Sequence, residues 1–186
     1  ATVREDLKQG NQKRGYQLTG FDHDKKVLLV MGGSLGSKKL NEIIRQNLEP
    51  LLHDYHIIHL TGKGLVDSSI NKEGYIQYEF VKDDLTDLLA ITDTVVSRAG
   101  SNAIYEFLTL RIPILLVPLG LDQSRGDQID NAKNFESKGY SRHILEDDLT
   151  DIKLLEALSN IEKHRESIIK PVSYTHLRAH ETREDL

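Results

Sequence analysis

The stretch "VLLVMGGSLGSKKLNEII", residues 27–44, reads as a strand, a glycine-rich turn and a helix in direct succession. Residues 27–31 form a continuous apolar run, which is typical of a strand buried on both faces of a parallel sheet. After Ser37, large apolar side chains recur on one helical stripe, at Leu40, Ile43, Ile44, Leu48 and Leu51. The stretch therefore predicts the first strand–helix unit of an α/β fold.

The rest of the chain continues this alternation. Further strands are predicted at residues 56–60, 75–81, 94–97 and 112–117, with a weaker one at 141–145. Further helices are predicted at residues 84–91, 102–110, 127–137 and 149–169. The pattern indicates a doubly wound, Rossmann-like parallel sheet flanked by helices. In such sheets ligands bind beyond the carboxyl ends of the strands, so we look for a site there.

Composition narrows the class of protein. The 186 residues suffice for one domain with a full core, and 38% hydrophobic with 28% charged residues fits neither a disordered nor a membrane-spanning chain. A net charge of −5 gives no general attraction to nucleic acid. The absence of cysteine excludes disulfides, thiolate metal sites and cysteine nucleophiles, and it is consistent with a reducing cytosol.

The glycine-rich turn is the first candidate site. Gly33 and its neighbours let backbone amides approach a ligand, Ser34 adds a hydroxyl donor, and the following helix start adds partial positive charge. Together they suit a phosphate. The spacing matches neither the dinucleotide fingerprint nor the P-loop, and a tight turn capped by Ser37 explains the same residues.

The second candidate site is the stretch "VVSRAGSNAIYEF". Gly100 follows a strand end, and Ser101 or Asn102 is predicted to cap the next helix, with amides directed at an anion. Glu106 either complements the helix dipole or accepts hydrogen bonds from a vicinal diol such as ribose. Arg98 could pair with a carboxylate of the protein or bind an anionic ligand, and the sequence does not decide between the two. We expect it to brace the loop without touching the ligand.

Two further loops lie at predicted strand ends. In "VPLGLDQSRGDQIDNAKNF", Asp127 and Gln128 begin a helix and suit sugar hydroxyls, although Asp127 also suits an N-cap. In "YEFVKDDLTDLLA", Val81 ends a strand and reads first as the edge of the core. The sequence shows no paired carboxylates, Ser-His-Asp arrangement or clustered metal ligands. The scattered histidines, including His59, are interpreted as surface or satisfied core residues.

Taken together, the motifs "MGGSLGSKKLNE", "VVSRAGSNAIYEF", "IPILLVPL" and "SRGDQIDNAKNFESKGY" resemble one family. It is the MurG family, the bacterial N-acetylglucosaminyltransferases of glycosyltransferase family 28 that make lipid II. The resemblance covers residues 3–169 and matches the C-terminal half of the family. It implies a GT-B architecture, in which two Rossmann-like domains face a cleft and the C-terminal one binds the UDP-sugar donor.

The resemblance also implies a set of donor-binding residues, each assigned by its position in a matching motif. They are Arg4, Gly33 and Ser34 for the phosphates, Val81 for uracil, Gly100, Ser101 and Asn102 for the nucleotide, Glu106 for the ribose, and Asp127, Gln128 and Asn131 for the donor sugar. It implies no catalytic residue in this chain, because the family's proposed base lies in the N-terminal domain. No metal or cofactor is expected, since the sequence shows no acidic metal motif and helix starts can supply the positive field.

The domain division follows from the same resemblance. Residues 1–26 are expected to be an interdomain segment with a short helix, and residues 27–170 the UDP-sugar donor-binding domain. Residues 171–186 break the helical pattern abruptly and are expected to be a non-native tail, so that its histidines are not read as metal ligands.

The implied function is that of the UDP-GlcNAc-binding half of an inverting hexosyltransferase, which converts lipid I to lipid II in peptidoglycan synthesis. The full enzyme is expected to be cytoplasmic and peripheral on the inner face of the membrane, where its N-terminal domain meets lipid I. Three alternatives remain: a stand-alone nucleotide-sugar-binding subunit of a two-chain glycosyltransferase, another GT-B UDP-sugar enzyme such as an epimerase, and a regulatory α/β module without a nucleotide.

Overall fold

The computed structural model describes residues 10–33, 37–98, 100–120 and 126–169. Six strands lie in one sheet in the order β3-β2-β1-β4-β5-β6, and every neighbouring pair is parallel. The strands are β1 (Lys26–Met31), β2 (Tyr55–Leu60), β3 (Tyr75–Tyr78), β4 (Thr94–Ser97), β5 (Ile114–Leu116) and β6 (Arg142–His143). The helices are α1 (Gln12–Thr19), α2 (Lys38–Gln46), α3 (Leu48–Asp54), α4 (Leu85–Ala90), α5 (Ser101–Thr109), α6 (Asp127–Ser137), α7 (Asp151–Lys163) and α8 (Arg165–Ile169).

The order in which strands are added to the sheet changes direction between β1 and β4, and we call this place the reversal point. From β1 the chain winds outward through β2 to β3, then returns and winds the other way through β4, β5 and β6. Met31 at the end of β1 pairs with Ser97 at the end of β4, so the loops that follow these two strands are neighbours. Such a reversal is where open parallel sheets form a binding crevice, and it confirms the predicted doubly wound sheet.

Alternate residues along the strands face two separate cores, as the period of a strand requires. One core contains Val27, Leu29, Ile58, Val95, Ile104, Phe107 and Phe135 among its buried residues. The other contains Leu28, Val30, Ile57, Val96, Leu40, Ile44 and Leu154. Helices α1, α4, α5 and α6 cover the first face, and α2, α3, α7 and α8 cover the second. Burial on both faces explains why these strands read as continuous apolar runs.

Three predicted strands are shorter in the structure, because only part of each predicted run pairs with a neighbouring strand. β3 ends at Tyr78, which pairs with Leu60, the last residue of β2. β5 begins at Ile114, opposite Val95, and β6 pairs only through Arg142 and His143. Consequently Val81 lies in the loop after β3 and not in a strand.

Two predicted helical stretches are each divided into two helices. Asn47 separates α2 from α3, and its amide group donates hydrogen bonds to the Ile43 carbonyl at 2.8 Å and to Asp151 at 2.7 Å. His164 separates α7 from α8, and its backbone departs from helical geometry at φ −113° and ψ 19°. The helical spacing of apolar residues continues across both breaks, so this pattern alone predicts one helix for each pair.

The segment before β1 contains the short helix that the sequence predicts. Asn11 caps α1 by accepting a hydrogen bond from the Arg14 amide at 3.1 Å. Gly15 lies so close to α4 that a Cβ atom there would come within 2.4 Å of the Asp87 carbonyl oxygen. Helix α1 therefore packs tightly against the domain. Within the described residues, none of the helices is long and apolar enough to cross a membrane.

A buried histidine joins α2 to the sheet. His59 in β2 is fully buried; its Nδ1 lies 2.7 Å from the Tyr75 hydroxyl and its Nε2 lies 2.8 Å from Oδ1 of Asn41. The Asn41 amide donates to the Thr61 carbonyl at 2.9 Å, which directs Oδ1 toward the histidine. The neutral ring therefore carries its proton on Nε2 and accepts from tyrosine. This confirms the interpretation of His59 as a satisfied core residue.

Burial, reinforced by the nearby positive charge of Arg45, lowers the pKa of His59 from 6.5 to about 3. Between these pH values the unfolded chain binds a proton that the folded chain rejects, so stability falls as pH falls below 6.5. We expect a loss of about 1.4 kcal/mol per pH unit in this window that His59→Gln does not share. Urea unfolding of both proteins at pH 7, 6 and 5 measures the difference, and parallel pH dependences would contradict the assignment.

Candidate functional site

The candidate residues gather at the carboxyl edge of the sheet, around the reversal point. Gly33 follows β1, Val81 follows β3, and Gly100 follows β4. The connection after β5 leads to Gln128 at the start of α6. Because parallel strands end at the same edge, the fold brings together segments that lie far apart in the sequence.

Gly33 and Gly100 leave open space beside the backbone at this edge. Gly33 is exposed and has a φ of 91°, a conformation that favours glycine. Gly100 has an extended backbone with φ −76° and ψ 127°. Apart from chain neighbours, no described atom lies within 4 Å of a Cβ atom built on either glycine. Both positions therefore allow a ligand to approach the main chain.

Helix α5 begins at Ser101, and Gly100 occupies the capping position. The prediction that Ser101 or Asn102 caps this helix is therefore wrong, because both residues already belong to its first turn. The Gly100 carbonyl accepts the first helical hydrogen bond, from Ile104 at 3.3 Å. Backbone amides of a first turn have no partner within the helix, and with the helix dipole they favour an anion.

Glu106 lies on the least buried face of α5. Ile104, Tyr105, Phe107 and Leu108 are buried, whereas Glu106 is half-buried. Among the side chains that the structure describes here, the other half-buried ones are Ala103 and Leu110, three residues before Glu106 and four after it, which places all three on one stripe. The carboxylate is thus on a face that a ligand can reach, and both interpretations given above fit this position.

Helix α6 begins at Asp127, and the preceding Gly126 has a φ of 86°. Asp127 is exposed at the first helical position, so the N-cap interpretation of this residue is wrong. Oε1 of Gln128 accepts a hydrogen bond from the Leu119 amide at 2.9 Å. The side chain thereby ties the start of α6 to the connection after β5. Asn131 is half-buried one turn further along the helix.

Val81 is half-buried and packs against the core that contains Val27. This contact agrees with the simpler reading of Val81 as the edge of the core. Its neighbour Phe80 is 55% exposed, although it is a large apolar side chain. An exposed aromatic ring beside a half-buried valine provides an apolar surface at the carboxyl edge.

Arg98 contacts three other segments from the end of β4. Its Nη1 donates to the carbonyls of Val117 at 3.2 Å and Pro118 at 3.4 Å, in the connection after β5. Its Nη2 donates to Oγ of Ser37 at 2.5 Å and to Oε1 of Glu146 at 3.2 Å. We refer to these five residues as the Arg98 cluster. The expectation that Arg98 braces the loop is confirmed.

The sequence did not identify two members of the Arg98 cluster as partners. Ser37 was expected only to cap α2, which it does by accepting from the Leu40 amide at 3.2 Å. Glu146 lies 48 residues beyond Arg98 and was assigned no role. A buried carboxylate requires a cation, but no local pattern shows which arginine supplies it.

Part of the predicted site lies outside the described residues. Arg4 and Ser34 belong to the ranges for which no structure is described, and so does the tail at residues 171–186. For Ser101 and Asn102 the helical backbone is described and the side chains are not. Among the residues that the structure covers, no group of three or more His, Cys, Asp or Glu side chains could hold a metal ion.

A cavity of about 720 Å³ lies at the opposite, amino edge of the sheet, between Lys26, Tyr55 and α7. Its floor is a polar cluster in which Glu162 accepts hydrogen bonds from Tyr55 at 3.0 Å and Thr94 at 2.9 Å. Burial opposes ionisation of Glu162, yet hydrogen bonds from Lys26, Arg165 and Thr94 lower its pKa to about 2. Glu162 has its hydrogen-bond partners within this cluster, so we attach no ligand to this cavity.

Comparison with known proteins adds an independent finding. Residues 27–183 match the family described as glycosyltransferase family 28 C-terminal domain. The chain is 80% identical over all 186 residues to the UDP-N-acetylglucosamine--N-acetylmuramyl-(pentapeptide) pyrophosphoryl-undecaprenol N-acetylglucosamine transferase of Staphylococcus epidermidis strain RP62A, and it covers 52% of that protein. It is 72% identical over 169 residues to the protein of the same name from Staphylococcus aureus strain JH9, covering 91% of this chain and 48% of that protein. The chain thus spans about half the length of these relatives.

Two solved structures share the fold of this chain. Acinetobacter baumannii MurG superposes with a TM-score of 0.66 at 22% identity, covering 91% of this chain and 50% of that one. The calicheamicin glycosyltransferase CalG4 superposes with a TM-score of 0.64 at 17% identity, covering 87% and 43%. At such identities the likeness concerns the fold, and it confirms the predicted half of a GT-B architecture.

Proposed function

Because the chain belongs to the glycosyltransferase family 28 C-terminal domain family, we propose that it binds the UDP-GlcNAc donor of an inverting glycosyltransferase. The observation that carries the proposal is the convergence of separate candidate segments at one edge of the sheet. Gly33, Gly100 and Gln128 follow or adjoin the ends of β1, β4 and β5, around the reversal point between β1 and β4. A nucleotide-sugar is long enough to touch all three segments.

The diphosphate is assigned to the loops after β1 and β4. The open backbone at Gly33 and Gly100 and the amides that begin α5 support this assignment. In our proposal the amides of Ser101 and Asn102, with Ser34 and Arg4, complete the phosphate contacts. Fixed donors at this position would stabilise the UDP leaving group as negative charge develops on it.

The nucleoside is assigned to Glu106 and the loop after β3. A carboxylate on the reachable face of α5 can accept hydrogen bonds from both ribose hydroxyls. The backbone of Val81 would hold the uracil edge, next to the exposed ring of Phe80. Glu106 therefore selects for a ribonucleotide and Val81 for the base.

The donor sugar is assigned to the start of α6. Because Oε1 of Gln128 accepts from the Leu119 amide, the NH₂ group is the part directed to sugar oxygens. The exposed Asp127 supplies an acceptor for sugar hydroxyls, and Asn131 lies one turn away. A donor and an acceptor side by side fit the alternating hydroxyls of a hexose.

The relatives' name supports a specific reaction for the whole enzyme. In our proposal it transfers GlcNAc from UDP-GlcNAc to the C4 hydroxyl of undecaprenyl-pyrophosphoryl-MurNAc-pentapeptide, turning lipid I into lipid II. The other half of the enzyme supplies the base, the acceptor site and the contact with the inner face of the membrane. This chain's share is to orient the donor and stabilise the leaving group, without a metal or another cofactor.

The proposal predicts that the 186-residue chain binds donor nucleotides without catalysing transfer. Calorimetry should show one saturable site for UDP-GlcNAc and for UDP, with much weaker binding of ADP and of CDP. A lipid I analogue added to the UDP-GlcNAc complex should yield no lipid II. A folded chain that binds none of these nucleotides would refute the donor role. Transfer of GlcNAc by the chain alone would refute the proposal that the other half of the enzyme is needed for catalysis.

A further inference from the structure

We propose that Arg98 is a positioning residue for the donor site, and that it sets the affinity for UDP without touching the ligand. The inference rests on the proposed function and adds a residue to it. It starts from the place of Arg98, which is two residues before Gly100 and directly after β4 at the reversal point of the sheet.

The contacts of Arg98 connect three loops to which a phosphate or sugar contact is assigned. Ser37 caps α2 and terminates the loop that begins with Gly33. Val117 and Pro118 directly precede Leu119, whose amide holds Gln128. One guanidinium thus connects the loops after β1, β4 and β5.

Burial makes this arrangement rigid. The side chains of Arg98 and Glu146 are only 7% and 10% exposed, and they form an ion pair at 3.2 Å. A buried carboxylate beside the guanidinium fixes its plane, and the planar fork then sets the directions of the Nη donors. A lysine could keep the charge beside Glu146, but its single ammonium group cannot reach all of these partners at once.

The same chain contains a matched arginine at the opposite edge of the sheet. Arg165 donates to the Asp93 carbonyl at 2.6 Å, the Thr94 hydroxyl at 2.6 Å and the Glu162 carboxylate at 2.7 Å. Its partners are therefore of the same three chemical kinds as those of Arg98. Among the described contacts, none of the residues assigned to the donor touches this second set. A variant at Arg165 should therefore lower the stability of the chain without changing the donor site, which makes it a control for Arg98.

The test compares Arg98→Lys with Arg165→Lys by thermal unfolding and by calorimetry with UDP. We expect both variants to melt at lower temperatures than the parent chain. Arg98→Lys should also bind UDP at least about tenfold more weakly, because small displacements of positioning groups have large effects. Arg165→Lys should bind UDP as the parent does.

If the folded Arg98→Lys variant binds UDP as tightly as the parent, this inference is overturned and the proposed function is not affected. A parent chain that binds no UDP would refute the proposed function and the inference with it. If Arg98→Lys does not fold, Ser37→Gly tests the same connection, since it removes the hydroxyl that Arg98 contacts and glycine is nearly as good a helix cap as serine. Weaker UDP binding by Ser37→Gly would then support the inference, and unchanged binding would overturn it.

Discussion

Gly100→Val is expected to weaken the binding of UDP-GlcNAc by about 10- to 100-fold, because overpacking typically costs about 1–3 kcal/mol. The extended backbone at Gly100 suits a β-branched residue, and no described atom beyond the chain neighbours lies within 4 Å of the added Cβ. Valine is a poorer helix N-cap than glycine, so the free chain should lose about 1 kcal/mol of stability and remain folded. The added side chain would instead occupy the space that we assign to the diphosphate.

Gly15→Ala provides the contrasting control for this variant. Its Cβ would lie 2.4 Å from the Asp87 carbonyl oxygen, so it should lower the melting temperature and leave UDP affinity unchanged wherever the chain is folded. Calorimetry and thermal unfolding of both variants give the comparison. If Gly100→Val binds UDP as tightly as the parent, the loop after β4 does not contribute to the phosphate site.

Glu106→Ala is expected to weaken UDP binding by at least about tenfold, since even one hydrogen bond to a charged group is worth about 1.5–3 kcal/mol. The reason is the loss of the proposed contacts with the ribose hydroxyls. A carboxylate that merely complements the helix dipole would instead change stability by a fraction of a kilocalorie per mole, roughly 0.3–1 kcal/mol, and would not discriminate between sugars.

A cycle with 2′-deoxy-UDP separates these two roles of Glu106. The parent chain should prefer UDP to the deoxynucleotide, and Glu106→Ala should bind the two almost equally. The cycle isolates the pair of groups because each change removes the same interaction from one side. If the parent and Glu106→Ala prefer UDP to 2′-deoxy-UDP equally, Glu106 does not bind the ribose and only complements the helix dipole.

Much of the fold was predictable from the sequence because burial on both faces of a parallel sheet leaves a strong local signal. The run from Val27 to Met31 and the helix of residues 127–137 both match the structure closely. The errors occur where tertiary contacts decide the boundary. β3 ends with its partner strand, and Asn47 divides a helix by bonding to Asp151.

The candidate site was predictable to the level of its loops and less so to the level of its contacts. Glycines at strand ends and helix starts are local features, and the fold brings them to one edge. The side-chain network is not local, since Arg98 meets Glu146 across 48 residues and Gln128 meets Leu119 across a loop. From the sequence Gln128 was related only to sugar hydroxyls, and its hydrogen bond to Leu119 is a structural role that no local pattern showed.

A crystal structure of the chain with UDP-GlcNAc tests the central claim most directly. Our account predicts the diphosphate within hydrogen-bonding distance of the amides that begin α5, the ribose on Glu106 and the sugar beside Gln128. Arg98 should keep its contacts with Ser37 and Glu146 and remain out of reach of the ligand. Nucleotide bound elsewhere, such as in the cavity between Lys26 and Tyr55 at the amino edge, would contradict the account.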